Sequence, residues 1–503
     1  GGGGNDQLVG GAGSDTVTFA DSTDAVVVNL SEGTAEGAGS GSDTLSGFEN
    51  ITGGAGDDIL VGDSSNNRLD GGAGDDTFTA YAGNDEIIGG AGVDTASFED
   101  ATSTVTVDLG AGTVTGSDTG SDTIDGVENI RTGAGDDEIT GDVADNRIIA
   151  GDGNDIVEGG AGDDFLDGGT GVDTISFEND TGGVTVDLRT GSAKGTGTGT
   201  DTFEGFEGVR GGAGDDNITG NASDNNLIGN AGADVLDGGA GDDVLDGGAG
   251  NDTFILSEGD DTIIAGAGAN TLKVGADYSI QSIVLDENTG DLAFNILKAI
   301  DGSIHVTTVE NSIAEPITTL TTVDGLGNET DFNLSVSYDA DTQTYSASTN
   351  SDTLIIGTAG GDRLTGLAGN DQIVGNAGDD IITGGAGDDI LVGGRGANVY
   401  KVSEGNDTIK STSELDVIEV SSAFSLQSVS LDAESGSVAF AFSKANGSSH
   451  IVTVDGLAGN PVNALRIYSD DTNFQDYDLS VEFDADTSTY TSTSTGLSIL
   501  AGT

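Results

Sequence analysis

An aspartate in fixed phase with glycines recurs along the chain, and that spacing suits a hard cation. Residues 1–9 read GGGGNDQLV, 53–61 GGAGDDILV, 159–167 GGAGDDFLD and 384–392 GGAGDDILV, giving Gly-Gly-x-Gly-x-Asp-x-U-x with U aliphatic. Of 26 nonapeptides in this register, 21 carry Asp at position 6; the other five carry Asn67, Asn146, Asn225, Asn270 and Asn398. Glycine at positions 1, 2 and 4 lets a tight turn take positive φ and expose its carbonyls. Aspartate at position 6 adds an anionic oxygen, and carbonyl with carboxylate oxygens is the ligand set that Ca²⁺ prefers. The candidate carboxylates are Asp6, Asp15, Asp58, Asp76, Asp85, Asp94, Asp137, Asp155, Asp164, Asp173, Asp216, Asp234, Asp243, Asp252, Asp261, Asp362, Asp371, Asp380, Asp389 and Asp407. Asn67, Asn146 and Asn225 are uncharged members of the set, expected to bind more weakly. The candidate carbonyls are those of Gly54, Gly56, Gly72, Gly74, Gly160, Gly162, Gly239, Gly241, Gly385 and Gly387.

Position 8 is Leu, Ile, Val or Phe almost throughout, so a short x-U-x strand buries one side chain per repeat. Two nonapeptides then make one flattened coil, and turns on one side come from repeats 18 residues apart. Asp58, Asp76 and Asp94 fall in one row, Asn67 and Asp85 in the other. A cation between successive turns offsets their repulsion. A block of n nonapeptides closes n − 2 such sites, about 16 Ca²⁺ ions in all, and more if the intervening segments also bind. Flexible Gly-Asp loops would explain the composition but not the phase.

The phrase resembles the calcium-binding repeat of the repeats-in-toxin (RTX) family. The direct match covers a little under half of the residues. The resemblance implies a right-handed parallel β-roll, release by type I secretion, and ligation by the position-6 aspartates with the glycine-turn carbonyls. The fold class expected is all-β: parallel β-roll or β-helix solenoid blocks with two small antiparallel, sandwich-like β modules.

Composition narrows the partners. Against 88 acidic residues stand 14 basic ones, a formal charge of −74. Without cations such a chain repels itself and buries too little to fold. The basic footprint of a nucleic-acid binder is missing. Cysteine is absent, which fits an exported protein stapled by metal instead of disulfides. No run of 18 apolar residues exists, so no membrane insertion is expected, and no cleavable N-terminal signal is seen. The chain opens in mid-repeat at Gly1 without Met, so further residues are expected upstream.

The nonapeptides fall in blocks at 1–18, 53–97, 132–176, 211–273 and 357–419. Inserts at 19–52, 98–131 and 177–210 separate the first four with a 79-residue period. Each insert opens on Phe19, Phe98 or Phe177, continues VVVNL or VTVDL, and closes on SDTLSGFEN, SDTIDGVEN or TDTFEGFEG. Alternation in V-x-V-x-L is a strand signal, so the inserts read as wider coils that continue the solenoid, or else as flaps on its side. A second repeat relates 211–356 to 357–503: YSIQSIVLD (278–286) matches FSLQSVSLD (424–432), and Pro316 matches Pro461. The modules 274–356 and 420–503 alternate apolar and polar residues with turn breaks, an antiparallel β pattern of roughly six strands. Each reads equally as a cap over an open solenoid edge or as an assembly surface.

Catalytic constellations are lacking. His305 and His450 hold equivalent places in IHV and HIV, which reads as structure. Paired carboxylates and GxGxxG-like strings carry no information in a chain with 87 glycines, and HExxH does not occur. The reading is therefore a non-enzymatic, calcium-rigidified, extracellular structural or assembly protein of a bacterium — a surface layer, fibre or adhesin stalk — partnered by calcium and by its own copies in a homopolymer. It is secreted, and possible attachment to the cell surface stays open. The alternative is the C-terminal calcium-binding secretion and folding region of a type I-secreted enzyme. An ice- or glycan-binding face is disfavoured because position 3 is mostly Ala and no Thr ladder forms. The tail TSTSTGLSILAGT could serve as an uncleaved secretion signal.

Overall fold

A computed structural model describes residues 2–37, 39–285, 291–310, 317–334, 336–339, 344–347, 350–358, 360–410, 415–432, 437–455, 464–469, 473–478, 481–484 and 489–492. Pro316, Pro461 and tail residues 493–503 lie outside them. The chain divides into two units, 1–252 with 257–261, and 253–256 with 262–503. Among the described residues there is no helix. The reason is local: each glycine-rich turn leaves only three residues before the next turn, enough for a strand and too few for a helical nucleus.

In the first unit these strands stack in parallel, 18 residues apart. Ile59–Val61 pairs with Thr77–Thr79, and Thr77–Thr79 with Thr95–Ser97. In a second sheet Asn50–Thr52, Arg68–Ala73 and Glu86–Ala91 pair likewise. Position 8 points between the sheets: Leu60, Leu69, Phe78, Ile148, Leu166, Ile218 and Leu227 are all fully buried. The core is thus a column one side chain deep, and Ala96 fits at position 8 as well as leucine does.

The inserts stay within this stack. After Thr16–Thr18 the chain forms Val26–Asn29, Thr34–Gly37 and Gly41–Ser46, an antiparallel meander. Its last strand pairs in parallel with Gln7–Val9 and its first with Ile59–Val61, so the meander widens one sheet by three strands. The other sheet receives one insert strand, Asn50–Thr52. The second insert places its meander, Val105–Asp108, Thr113–Gly116 and Gly120–Asp125, in the opposite sheet. The third, with Thr185–Asp187, Ser192–Gly195 and Gly199–Glu204, returns to the first sheet. The alternation follows from counting: five nonapeptides are two and a half coils, so each insert begins on the other face.

In the second unit parallel ladders run directly into the antiparallel modules. Thr262–Ile264 pairs in parallel with Ile304–Glu310, the last strand of a meander with Tyr278–Leu285 and Leu292–Lys298. Asn270–Val274 pairs with Ile317–Val323, which pairs antiparallel with Glu329–Asn333. The later copy repeats this: Asn406–Lys410 with Ser449–Val454, and Val417–Val420 with Ala464–Tyr468. Each module is therefore two-sheeted: the later one extends both sheets of its roll, and the first extends Thr262–Ile264 and Asn270–Val274. Phe440, Phe442 and Val454 of the later module share one core with Ile409, Ile418 and Tyr400 of its roll. His450 helps fix this junction: its Nδ1 accepts the Gly405 N–H at 2.9 Å, and its ring packs edge-on to Phe424.

Candidate metal centre

Side chains alternate along a strand, so position 6 shares its face with position 8 and points inward. Asp58, Asp76, Asp85, Asp94, Asp137, Asp155, Asp164, Asp173, Asp216, Asp234, Asp243, Asp252, Asp261, Asp362, Asp371, Asp380, Asp389 and Asp407 are all buried, at the rim of the aliphatic column. Asp6 and Asp15, in the first coil, are half-buried.

The buried carboxylates form rows. The Asp58 N–H donates to Asp76 Oδ1 at 2.7 Å, and the Asp76 N–H to Asp94 Oδ1 at 2.7 Å. The same bond joins Asp137 to Asp155, Asp155 to Asp173, Asp216 to Asp234, Asp362 to Asp380 and Asp371 to Asp389. One oxygen of each carboxylate thus ties two coils together. The second oxygen, Oδ2, of Asp76, Asp85, Asp94, Asp137, Asp155, Asp164, Asp173, Asp234, Asp243, Asp371, Asp380 and Asp389 is buried with no hydrogen-bond partner among the described residues. Three carboxylates depart from this pattern. Oδ2 of Asp58, Asp216 and Asp362 accepts the N–H of Gly54, Gly212 or Thr358 in its own turn.

Glycine serves two purposes in the turn. Positions 2 and 4 take positive φ, +102° at Gly72 and +119° at Gly74. The same holds at Gly160, Gly162, Gly239, Gly241, Gly385 and Gly387. Position 1 was expected to share this and does not. It is glycine because a Cβ on Gly71 would lie 2.1 Å from Asp76 Oδ2, and one on Gly384 2.0 Å from Asp389 Oδ2. Gly54 and Gly56 also depart from expectation. They lack positive φ and lie against the preceding insert, where a Cβ would strike Ser22 O and Ala25 N. Some turn carbonyls already bind the next coil: Gly54 O accepts the Ala73 N–H, Gly239 O that of Glu258 and Gly385 O that of Glu404. Each keeps a second lone pair.

Burial raises the pKa of the row's carboxyls. Desolvation pushes Asp76, Asp155, Asp234, Asp371 and Asp380 up to about 7, backbone N–H donors oppose it, and neighbouring carboxylates add to it. Unpaired buried oxygens and stacked like charges are both costly in an apolar setting. A hard divalent cation relieves both, so the residues present fit calcium. Among the described residues no three His, Cys, Asp or Glu side chains converge as a metal cluster. The carboxylates come from successive coils, so carbonyls must complete any coordination shell. Position-5 acids belong to a separate, exposed ladder: Asp57 Oδ1 accepts the Asp75 N–H, and Asp75 Oδ1 that of Val93.

Three of the asparagines make hydrogen bonds that an aspartate could not. Asn67 Oδ1 accepts the Asp63 N–H at 2.7 Å, and its amide donates to Glu49 O at 2.9 Å. Asn146 and Asn225 repeat this with Glu128 O and Glu207 O. Each puts a donor where a cation needs acceptors. Asn398 differs again, its Oδ1 accepting the Asp380 N–H as an aspartate would.

Sequence reasoning missed six carboxylates in the rows and left one of its 21 in-phase aspartates off the candidate set. Asp416 is in phase, and its Oδ1 accepts the Asn398 N–H at 2.9 Å. Asp43, Asp122 and Asp201 in the inserts accept from Asp6, Asp85 and Asp164; Glu49, Glu128 and Glu207 accept from Asp15, Asp94 and Asp173. Their signal was legible: GSDTL (41–45) and GFENI (47–51) keep the second half of the nonapeptide, Gly-x-acid-x-U.

The RTX calcium-binding nonapeptide repeat model matches residues 1–21, 38–96, 122–175, 210–272 and 349–418. No curated protein matches the sequence. Among solved structures, the extracellular lipase LipA from Serratia marcescens is similar at 20% identity and TM-score 0.19, covering 50% of this chain and 37% of the lipase. The AlgE6R3 subunit of the Azotobacter vinelandii mannuronan C5-epimerase is similar at 22% identity and TM-score 0.18, covering 28% of this chain and 88% of that one.

Proposed function

The chain belongs to the RTX family of calcium-binding nonapeptide-repeat proteins, and from that premise we propose that it is a calcium-rigidified structural element of a bacterial extracellular assembly. RTX repeats bind Ca²⁺, are generally non-catalytic and typically occur in proteins exported by type I secretion. No helix among the described residues is long and apolar enough to cross a membrane. The ligands in this reading are the position-6 aspartates, with glycine-turn carbonyls completing each shell. The observation that carries the reading is the row of inward carboxylates, one oxygen joined to the next coil and the other buried without a partner. Filling such a row links successive coils wherever it is unbroken, which suits a rigid element better than a mobile linker.

The assembly role rests on the two tandem superrepeats, an arrangement that suits repeated placement of one surface. Electron microscopy of the full chain in millimolar calcium tests it. Filaments or a lattice are expected, reversible by EDTA. Dispersed, folded monomers would instead favour the secretion-region reading.

A further inference from the structure

The nonapeptide rows do not stop at the inserts. Thr123 N–H donates to Asp85 O at 2.9 Å, as Thr77 N–H does to Asp58 O at 2.8 Å within a nonapeptide block. Gly83 and Gly120 form a parallel bridge, and a Cβ on Gly120 would lie 1.6 Å from Gly83 O. The insert turn therefore sits on the preceding turn as one nonapeptide turn sits on another. The carboxylate follows: Asp122 Oδ1 accepts the Asp85 N–H at 2.8 Å across 37 residues, where the plain repeat spans 18. Asp85 and Asp122 are each 3% exposed, and Oδ2 of both is buried with no partner among the described residues. On the other row Glu128 Oε2 accepts the Asp94 N–H at 2.8 Å, and Asp94 Oδ2 is likewise buried and unpartnered.

We infer that each insert adds two positions for a hard divalent cation of calcium's size, one between Asp85 and Asp122 and one between Asp94 and Glu128 in the second insert, with equivalents at Asp43 and Glu49 in the first and at Asp201 and Glu207 in the third. The inference deepens the calcium-row reading and rests on it. The inserts then carry the metal row around a widened coil, and the row breaks one coil later, where the amide of Asn67, Asn146 or Asn225 donates to the carbonyl of that same glutamate.

The test counts calcium bound per full-length chain by equilibrium dialysis. D43N/D122N/D201N and E49Q/E128Q/E207Q are each expected to bind about three fewer ions than the parent, with a calcium-induced β spectrum retained. D76N/D155N/D234N, confined to nonapeptide blocks, is the control. If the control loses ions and the insert variants lose none, the inference is overturned while the calcium-row reading stands. If none loses ions, the calcium-row reading itself has failed. Should an insert variant not fold, anomalous scattering from the parent protein crystallised in calcium decides. A peak between Asp85 and Asp122 supports the inference, and density there with no such peak rejects it.

Discussion

Asp76 shows how far one residue is committed. Its N–H, its Oδ1 and its Oδ2 face three different demands, and only the last is left for a metal. Gly71→Ala should therefore act through Asp76, since the new Cβ would lie 2.1 Å from Oδ2. The expected result is loss of calcium at that position and a destabilisation of about 1–3 kcal/mol, read by calcium binding and by denaturation in calcium. Asn67→Asp should act oppositely: it removes the amide that donates to Glu49 O, so the chain should gain an ion in calcium and lose stability in chelator. Leu367 holds position 2 with φ +75°; Leu367→Gly should relieve roughly 1 kcal/mol of left-handed strain.

The acidity of the row sets a pH dependence. In the metal-free fold burial chiefly pushes Asp76, Asp155 and Asp234 up to about 7, well above the usual carboxylate range. A raised folded-state pKa means that the folded chain holds more protons than the unfolded one between that range and about 7. Metal-free stability is then greatest below about pH 4 and falls as pH rises through 7. Circular dichroism in EDTA should show β structure in acid that is lost at pH 8. Calcium should restore it at pH 8, and protons should weaken calcium binding below 7. An EDTA sample equally folded at every pH would reject the account.

At the scale of elements, a three-residue strand buries one side chain, so each coil depends on its position-8 residue. Leu227 is fully buried, and Leu227→Ala should cost about 2–5 kcal/mol in calcium, measured by chemical denaturation. Much of this level was legible. The in-phase Gly-x-Asp-x-U strings gave the turns, the strands and most of the row, because spacing alone fixes them. Position 1 was misread because its glycine answers to a carboxylate five residues later, a contact that exists only after the turn closes. Asp122 and Glu128 were passed over because only half of the nonapeptide survives around them.

For the whole molecule the dominating quantity is the charge of −74. At pH 8 the chain should be largely disordered in chelator and gain β structure with millimolar calcium. At calcium 100 times Kd each site adds roughly 2.7 kcal/mol to the folded state, and coupled coils should make the titration steep. The modules 274–356 and 420–503 bear on assembly. The first cannot merely end the chain, since a further roll follows it, so at least one copy is expected to contact a neighbouring subunit. Deleting 420–503, with secretion supplied by a separate tail, should abolish filaments while the remaining roll still folds with calcium; normal assembly would leave only the capping role.

By itself the sequence determined the repeat, its phase, the in-phase aspartates and the need for a cation, since each follows from the period of nine and the charge. The tertiary structure decided which oxygens are shared between coils, that successive inserts widen alternate sheets, and that three asparagines interrupt the row. Those depend on pairing across 18, 34 and 37 residues, and local spacing specifies a partner only where the repeat is unbroken.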